Sequence, residues 1–295
     1  MLLAFQRTAQ TQHYAETSKD FTFQGKNHRP EKNREVYVMV IGETSRAANW
    51  SIYGYNRNTN PELTKIKGLT AFSHVLTESN TTHKSVPMLM SSVTAHDFNS
   101  IYRQKGIITA FKEAGYRTAF FSNQRYNHSF IDFFGKEADI CDFIKEDTGD
   151  GSYNPSDDEL LKLVAAELAE NASKQFIVLH TYGSHFNYRE RYPADNAFFL
   201  PDFPVDAELK YKDNLINAYD NSIRYTDNFL ARLIRMLQEQ DIDAAMLYTS
   251  DHGEDIFDDD RHLFLHASPV PSYYQIHVPF LVWMSDNYRK NYPDF

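Results

Sequence analysis

The stretch Ala244-Ala245-Met246-Leu247-Tyr248-Thr249-Ser250-Asp251-His252-Gly253-Glu254 decides the fold. Its first half is an apolar run of strand length, of the kind buried in a parallel sheet. Its second half sets an Asp and a His side by side where that strand ends. They offer one hard oxygen and one imidazole, half of a zinc-type donor set. Gly253 lets the backbone turn tightly after them. The same grammar occurs near the start of the chain in Val36-Tyr37-Val38-Met39-Val40-Ile41-Gly42-Glu43-Thr44, where an apolar run ends in Gly and a carboxylate. Two such strand ends predict one metal site at the carboxyl edge of a parallel sheet, where open α/β sheets bind their ligands.

Further apolar runs at Thr118–Ser122, Phe176–His180 and Val278–Trp283 extend the set of strands. Helical spacing fills the intervals. Ile107–Ala114 stops at Gly115, Asp157–Ala172 sets Leu160, Leu161, Val164 and Leu168 on one face, and Leu215–Leu237 is the longest. Strands alternating with helices predict a three-layer α/β/α sandwich around a mostly parallel sheet. Residues 1–34 are polar and aperiodic and read as a linker. No Gly/Ser/Pro-rich stretch divides 35–295, which reads as one domain.

The formal net charge of -10 argues against a nucleic-acid footprint. It leaves room for an anionic substrate, because a bound metal can dominate the local field. Cys141 is the only cysteine, so no intrachain disulfide and no cysteine metal cluster can form. No run approaches the roughly 20 apolar residues of a membrane span. Met1-Leu2-Leu3-Ala4-Phe5 is too short for a signal sequence.

Between the two strand ends lies Glu78-Ser79-Asn80-Thr81-Thr82-His83-Lys84-Ser85-Val86-Pro87, where Ser85 suits a helix N-cap and Pro87 a first turn. Hydroxyls there stand where helix N–H groups attract phosphate. The whole order is Gly42-Glu43-Thr44-x-Arg46, then Tyr53-Gly54-Tyr55-x-Arg57-x-Thr59-x-Pro61, then Thr82-x-x-Ser85-Val86-Pro87, then Ser250-Asp251-His252-Gly253-Glu254. From about Val36 onward this resembles the phosphoethanolamine transferases of the alkaline phosphatase/sulfatase superfamily. The resemblance implies an alkaline phosphatase-like fold. It also implies a zinc enzyme that moves phosphoethanolamine from phosphatidylethanolamine to lipid A, a core sugar or another envelope glycan.

Carried over motif by motif, the resemblance makes Glu43, Thr82, Asp251 and His252 the zinc ligands. Thr82, four residues before Val86, becomes the nucleophile, with Thr81 and Ser79 as nearby alternatives. His185 and His266 become groups for the substrate phosphate, and Asn123 and Gln124 substrate-facing polar residues. The chemistry asks for the same residue types. A threonine hydroxyl is a poor nucleophile until a dication favours its ionised form. Phosphoryl transfer then needs positioning and positive charge on the non-bridging oxygens, which protonated His185 and His266 would supply. Taken singly, Asp251 reads as a cap and His252 as a core histidine; together they read as a site. His180, inside a strand, reads as structural, and His83, His128 and His262 as surface groups. Asp258-Asp259-Asp260 reads as a solvated acidic loop, with a second, weaker cation site as the alternative. Arg46 and Arg57 either hold the acidic site together or pair on the surface.

Two departures stand out. Lipid A-type members carry disulfides in this domain, and Cys141 alone points to a disulfide-free branch. Their N-terminal membrane helices have no counterpart here, so the chain is expected to be a monomeric periplasmic catalytic domain whose anchor to the inner membrane of a Gram-negative bacterium is missing. The rivals are a phosphoglycerol transferase, a phosphodiesterase or sulfatase-like hydrolase of the same superfamily, and a non-catalytic envelope-binding domain. Cys141 lacks the Cys/Ser-x-Pro-x-Arg context that a sulfatase nucleophile requires.

Overall fold

The computed structural model describes residues 10–27, 33–145, 154–204 and 206–293. The apolar runs become strands β1 (Glu35–Gly42), β3 (Arg117–Ser122), β5 (Lys174–His180), β6 (Asp243–Ser250) and β9 (Phe280–Met284). Two short edge strands join them, β2 (Leu69–Phe72) and β4 (Ile140–Phe143). The sheet order is β2-β9-β6-β1-β5-β3-β4, with β7 (Asp255–Ile256) and β8 (Phe264–Leu265) forming a separate ribbon. Within the large sheet only β9 runs against its neighbours. The mostly parallel sheet is the predicted one. The final strand begins two residues later than the sequence suggests and is antiparallel.

Both faces of the sheet are covered, which explains why β1 and β6 read as unbroken apolar runs. Val36, Val38 and Val40 of β1 join Ala244, Met246 and Tyr248 of β6 in one core. That core is closed by α4 (Asp158–Ala169) and the 27-residue α5 (Lys212–Gln238). Met39 and Ile41 point the other way, into a second core with Phe120, Phe176 and Val178. Helices α1 (Thr82–Leu89), α2 (Ile107–Glu113) and α3 (Phe130–Gly135) close that side through Val86, Ile108 and Phe134. Each fully buried Val, Leu, Ile or Phe contributes about 1.5–3 kcal/mol.

The stretch read as a linker, where described, lies against the sheet domain. Tyr14 stacks on Phe133 at 5.2 Å, and its hydroxyl donates to the Gln104 carbonyl at 2.8 Å. The rest of 1–34 falls partly outside the described residues. Among the described residues no helix is long and apolar enough to cross a membrane.

Cys141 sits half-buried in the edge strand β4, and burial pushes its thiol up to about 11. Thiolate is therefore scarce at pH 8. Alkylation of the folded protein by iodoacetamide is expected to run about 100-fold slower than after denaturation. Equal rates in the two states would contradict the burial of this thiol.

Candidate active site

Strand register builds the site. Gly42 is paired with Ser250, Ile41 with His180, and His180 with Ser122. Four strands therefore end level, and the residues after them arrive at one edge. Thr44 follows Glu43 with a φ of +60°, unusual for a β-branched residue and stable only where its surroundings hold it. Its N–H donates to Asp251 Oδ1 at 3.0 Å, its hydroxyl to Glu43 Oε1 at 2.8 Å, and its carbonyl accepts from Tyr219 of α5 at 2.7 Å. Gly183 crosses behind Glu43 so closely that a Cβ would lie 2.7 Å from the Glu43 carbonyl oxygen. Only glycine fits there.

Glu43, Asp251 and His252 bring one ligand atom each to within 4.8 Å of one another. Thr82 Oγ1 lies 3.0 Å from Glu43 Oε1 and 3.1 Å from His252 Nε2. Asp251 Oδ1 accepts from two backbone N–H groups, while its buried Oδ2 has no hydrogen-bond partner and lies 3.3 Å from His252 Nε2. His252 Nδ1 lies 2.9 Å from the Gly253 carbonyl. A carbonyl only accepts, so Nδ1 carries the proton and Nε2 presents a lone pair. Four ligand atoms thus converge, with the Thr82 hydroxyl donating to Glu43 Oε1. Burial, then repulsion from Asp251, holds Glu43 well above the carboxylate range, and burial holds His252 below the imidazole range. A dication reverses both penalties. Two carboxylate oxygens, one imidazole and one hydroxyl make a four-coordinate set that suits zinc.

Thr82 opens α1, four residues earlier than a cap at Ser85 would start it. Thr81 is the extended N-cap, and its carbonyl accepts from Lys84 N and Ser85 N at 3.1 and 2.9 Å. Ser85 is not the cap because its hydroxyl is committed to the Asp251 carbonyl and to Thr77. Pro87 consequently lies inside the helix. The correction moves Thr82 onto the helix's positive end, which favours an anion there.

His185 and Thr82 line one cavity of about 410 Å³. His266 stands on the other histidine. Its ring is 4.2 Å from that of His252, and its Nδ1 is 3.6 Å from the buried Glu254, whose carboxyl burial pushes up to about 8. Burial pushes both His185 and His266 below the usual imidazole range, which opposes the positive charge expected of them. Gln124 reaches the site, its Nε2 lying 3.4 Å from Glu43 Oε2 and 3.1 Å from the Thr181 carbonyl. Asn123 does not line the cavity with Thr82. Its amide donates to Pro155 O and Asp157 Oδ1 at 2.9 and 2.8 Å, because Asp157 anchors the loop after β5 and needs a donor.

His180 is fully buried, as its place in a strand suggests, but it ends β5 and lines the cavity with Thr82. His83, His128 and His262 are exposed. Asp258 is not a solvated acid: it pairs with the buried Arg46 at 2.5 Å. Arg57 pairs with Asp220 of α5 at 2.8 Å and fixes the Tyr53–Pro61 segment from outside the site. Lys145, Tyr182 and Arg191 also line the cavity and carried no motif. Tyr182 lies within the His180–His185 stretch, and Arg191 within Arg189-Glu190-Arg191 shortly after it.

A parallel sheet carrying a threonine hydroxyl and a dication donor set at its carboxyl edge defines a domain of the alkaline phosphatase/sulfatase type. Residues 35–294 match the Sulfatase family, and the chain belongs to it. It is 33% identical over 288 residues to Kdo(2)-lipid A phosphoethanolamine 7''-transferase of Escherichia coli (strain K12), covering 93% of this chain and 48% of that protein. The chain therefore spans about half the length of the curated relatives it matches. Among solved structures, the C-terminal periplasmic domain of EcEptC from Escherichia coli in complex with Zn superposes with a TM-score of 0.81 at 26% identity, covering 89% of this chain and 76% of that one. The soluble domain of lipooligosaccharide phosphoethanolamine transferase A from Neisseria meningitidis gives 0.80 at 27% identity, covering 90% and 81%.

Proposed function

We propose that this chain is the catalytic domain of a zinc-dependent phosphoethanolamine transferase at the periplasmic face of a Gram-negative inner membrane. The donor is phosphatidylethanolamine, and the acceptor is lipid A or another envelope glycan. The observation that carries this is Thr82 Oγ1, 3.0 Å from Glu43 and 3.1 Å from His252, at a helix N-terminus that opens on a cavity. The relatives' names and the zinc-containing neighbour support the same chemistry.

Glu43, Thr82, Asp251 and His252 would hold the ion. When bound, zinc supplies the positive charge that favours the ionised Thr82 hydroxyl. In the first half-reaction, Thr82 Oγ1 bonds to phosphorus and the phosphorus–oxygen bond to diacylglycerol breaks. The departing oxygen takes a proton, and Thr82, whose hydroxyl donates to Glu43 Oε1 in the structure, loses its own. In the second, the acceptor oxygen gives up its proton and bonds to phosphorus, the bond between phosphorus and Thr82 Oγ1 breaks, and Thr82 Oγ1 takes a proton back. The N-terminal N–H groups of α1 stand where the phosphoryl oxygens gain charge.

Elemental analysis of protein purified without added metal is expected to find about one zinc per chain, the stoichiometry of one four-ligand site. No zinc, and no uptake on titration, would sink this reading. His185→Ala and His266→Ala are each expected to leave the zinc content near wild type and to lower turnover by roughly 10²–10⁴-fold, the range for positioned acid–base groups. Zinc content falling in step with activity would make them metal ligands instead.

A further inference from the structure

The cavity that receives Thr82 carries a cationic wall that the transfer chemistry above does not use. Lys145, Arg191 and Arg125 line it together with Tyr182. Lys145 Nζ sits 3.3 Å and the Arg191 guanidinium 4.1 Å from the centre of the Tyr182 ring, whose plane also stacks on His185 at 5.0 Å. The counter-charges nearby are weak or already engaged. Lys145 Nζ donates to the neutral Asn154 side chain at 3.0 Å. The Arg191 side chain is only 4% exposed, yet its carboxylate partner Glu190 is 58% exposed. Asp132 is taken up by the N–H groups of Asn127 and Ser129, and Asp157 by those of Tyr182 and Gly183. His180 adds a buried Nε2 with no hydrogen-bond partner. Burial, and then the two guanidiniums, pull Lys145 down to about 8.

Such a wall does not suit the donor. Phosphatidylethanolamine has one phosphate, which reacts at Thr82, and its ammonium group is repelled by like charge. Its diacylglycerol is uncharged. We propose that Lys145 and Arg191, presented by the Tyr182 face, form an acceptor subsite that binds an acidic group, phosphate or carboxylate, on the sugar receiving the phosphoethanolamine. The subsite orients the acceptor hydroxyl toward phosphorus while Thr82 carries the group, and it rests on the transferase reading above. Charge-assisted, partly buried contacts of this kind are the strong ones, and Arg191 offers a planar fork that matches either oxyanion.

The test separates the two half-reactions. Adduct formation on the chain from phosphatidylethanolamine is followed by intact mass. Discharge of the preformed adduct is followed with three matched glycolipid acceptors, one with a sugar phosphate, one with a sugar carboxylate and one with neither. Lys145→Gln and Arg191→Gln are expected to form the adduct as wild type does. They should lose roughly 10–100-fold in kcat/KM, mostly through KM, for whichever acidic acceptor the subsite takes. The neutral acceptor should be unaffected, and Lys145→Arg should recover part of the loss. A soluble sugar phosphate and a soluble sugar carboxylate, added to the wild-type protein, distinguish the two sources without any variant. The preferred one should compete with the acidic acceptor and leave adduct formation untouched. Unchanged discharge in both variants, or no competition by either anion, overturns the subsite. An equal loss in adduct formation would place the donor phosphate there and overturn it as well. Failure of the wild type to form any adduct would instead end the transferase reading itself.

Discussion

Thr82→Ala is expected to abolish phosphoethanolamine transfer, by roughly 10⁴-fold or more, while the protein folds normally. Losses of this size follow removal of a nucleophile whose partners remain in place. The fold should survive because the Thr82 hydroxyl bonds only to Glu43 and His252 among the contacts described, and packs in neither core. Thr82→Ser should retain partial activity, since the hydroxyl remains but loses the methyl group that restricts its rotamer. Thr81→Ala should be mild by comparison. Thr81 caps α1 through its backbone carbonyl, and its hydroxyl reaches Ser79 at 3.1 Å rather than Glu43 or His252. Transfer by Thr82→Ala at near the wild-type rate, measured with labelled donor, would rule out the covalent route.

Asp251→Asn is expected to uncouple stability from zinc. In wild type, a ligand that binds only the folded state at 100–1,000 times its dissociation constant stabilises by about 3–4 kcal/mol. The variant should lose most of that gain, because Asp251 Oδ2 is the oxygen left free to bind a cation. With a chelator present, the ordering should change. Glu43 and Asp251 are buried like charges that raise each other's cost, and the amide removes one of them. It keeps an oxygen to accept from Thr44 N and His252 N. The metal-free variant should therefore melt no lower than metal-free wild type, and the zinc-loaded variant should melt well below zinc-loaded wild type. Thermal melts with zinc and with chelator read this directly. An equal zinc-induced rise in both proteins would remove Asp251 from the metal site.

The central strands were legible because a parallel strand covered on both faces must be apolar along its whole length. Val36–Ile41 and Ala244–Thr249 are such runs, and their last residues mark the edge where the site lies. β2 and β4 were not legible, since four-residue edge strands give period-2 patterning too little length. The start of α1 was misplaced because Ser85 has the chemistry of a cap, whereas its hydroxyl holds the Asp251 backbone, a contact set by tertiary packing. His180 has the burial its strand suggests, but only the register with Ser122 and Ile41 shows that it ends beside Thr82. Lys145 and Arg191 meet only across the Tyr182 ring, so no spacing in the sequence marks the pair. Asn123 follows a strand end, the position of a substrate-facing residue, yet the buried Asp157 claims its amide.

The measurement that bears most directly on the account is peptide mapping of the zinc-loaded protein after incubation with phosphatidylethanolamine. A single phosphoethanolamine group on Thr82, lost when acceptor is added, is the predicted result. An adduct on Thr81 or Ser79, or none at all while transfer proceeds, would contradict it.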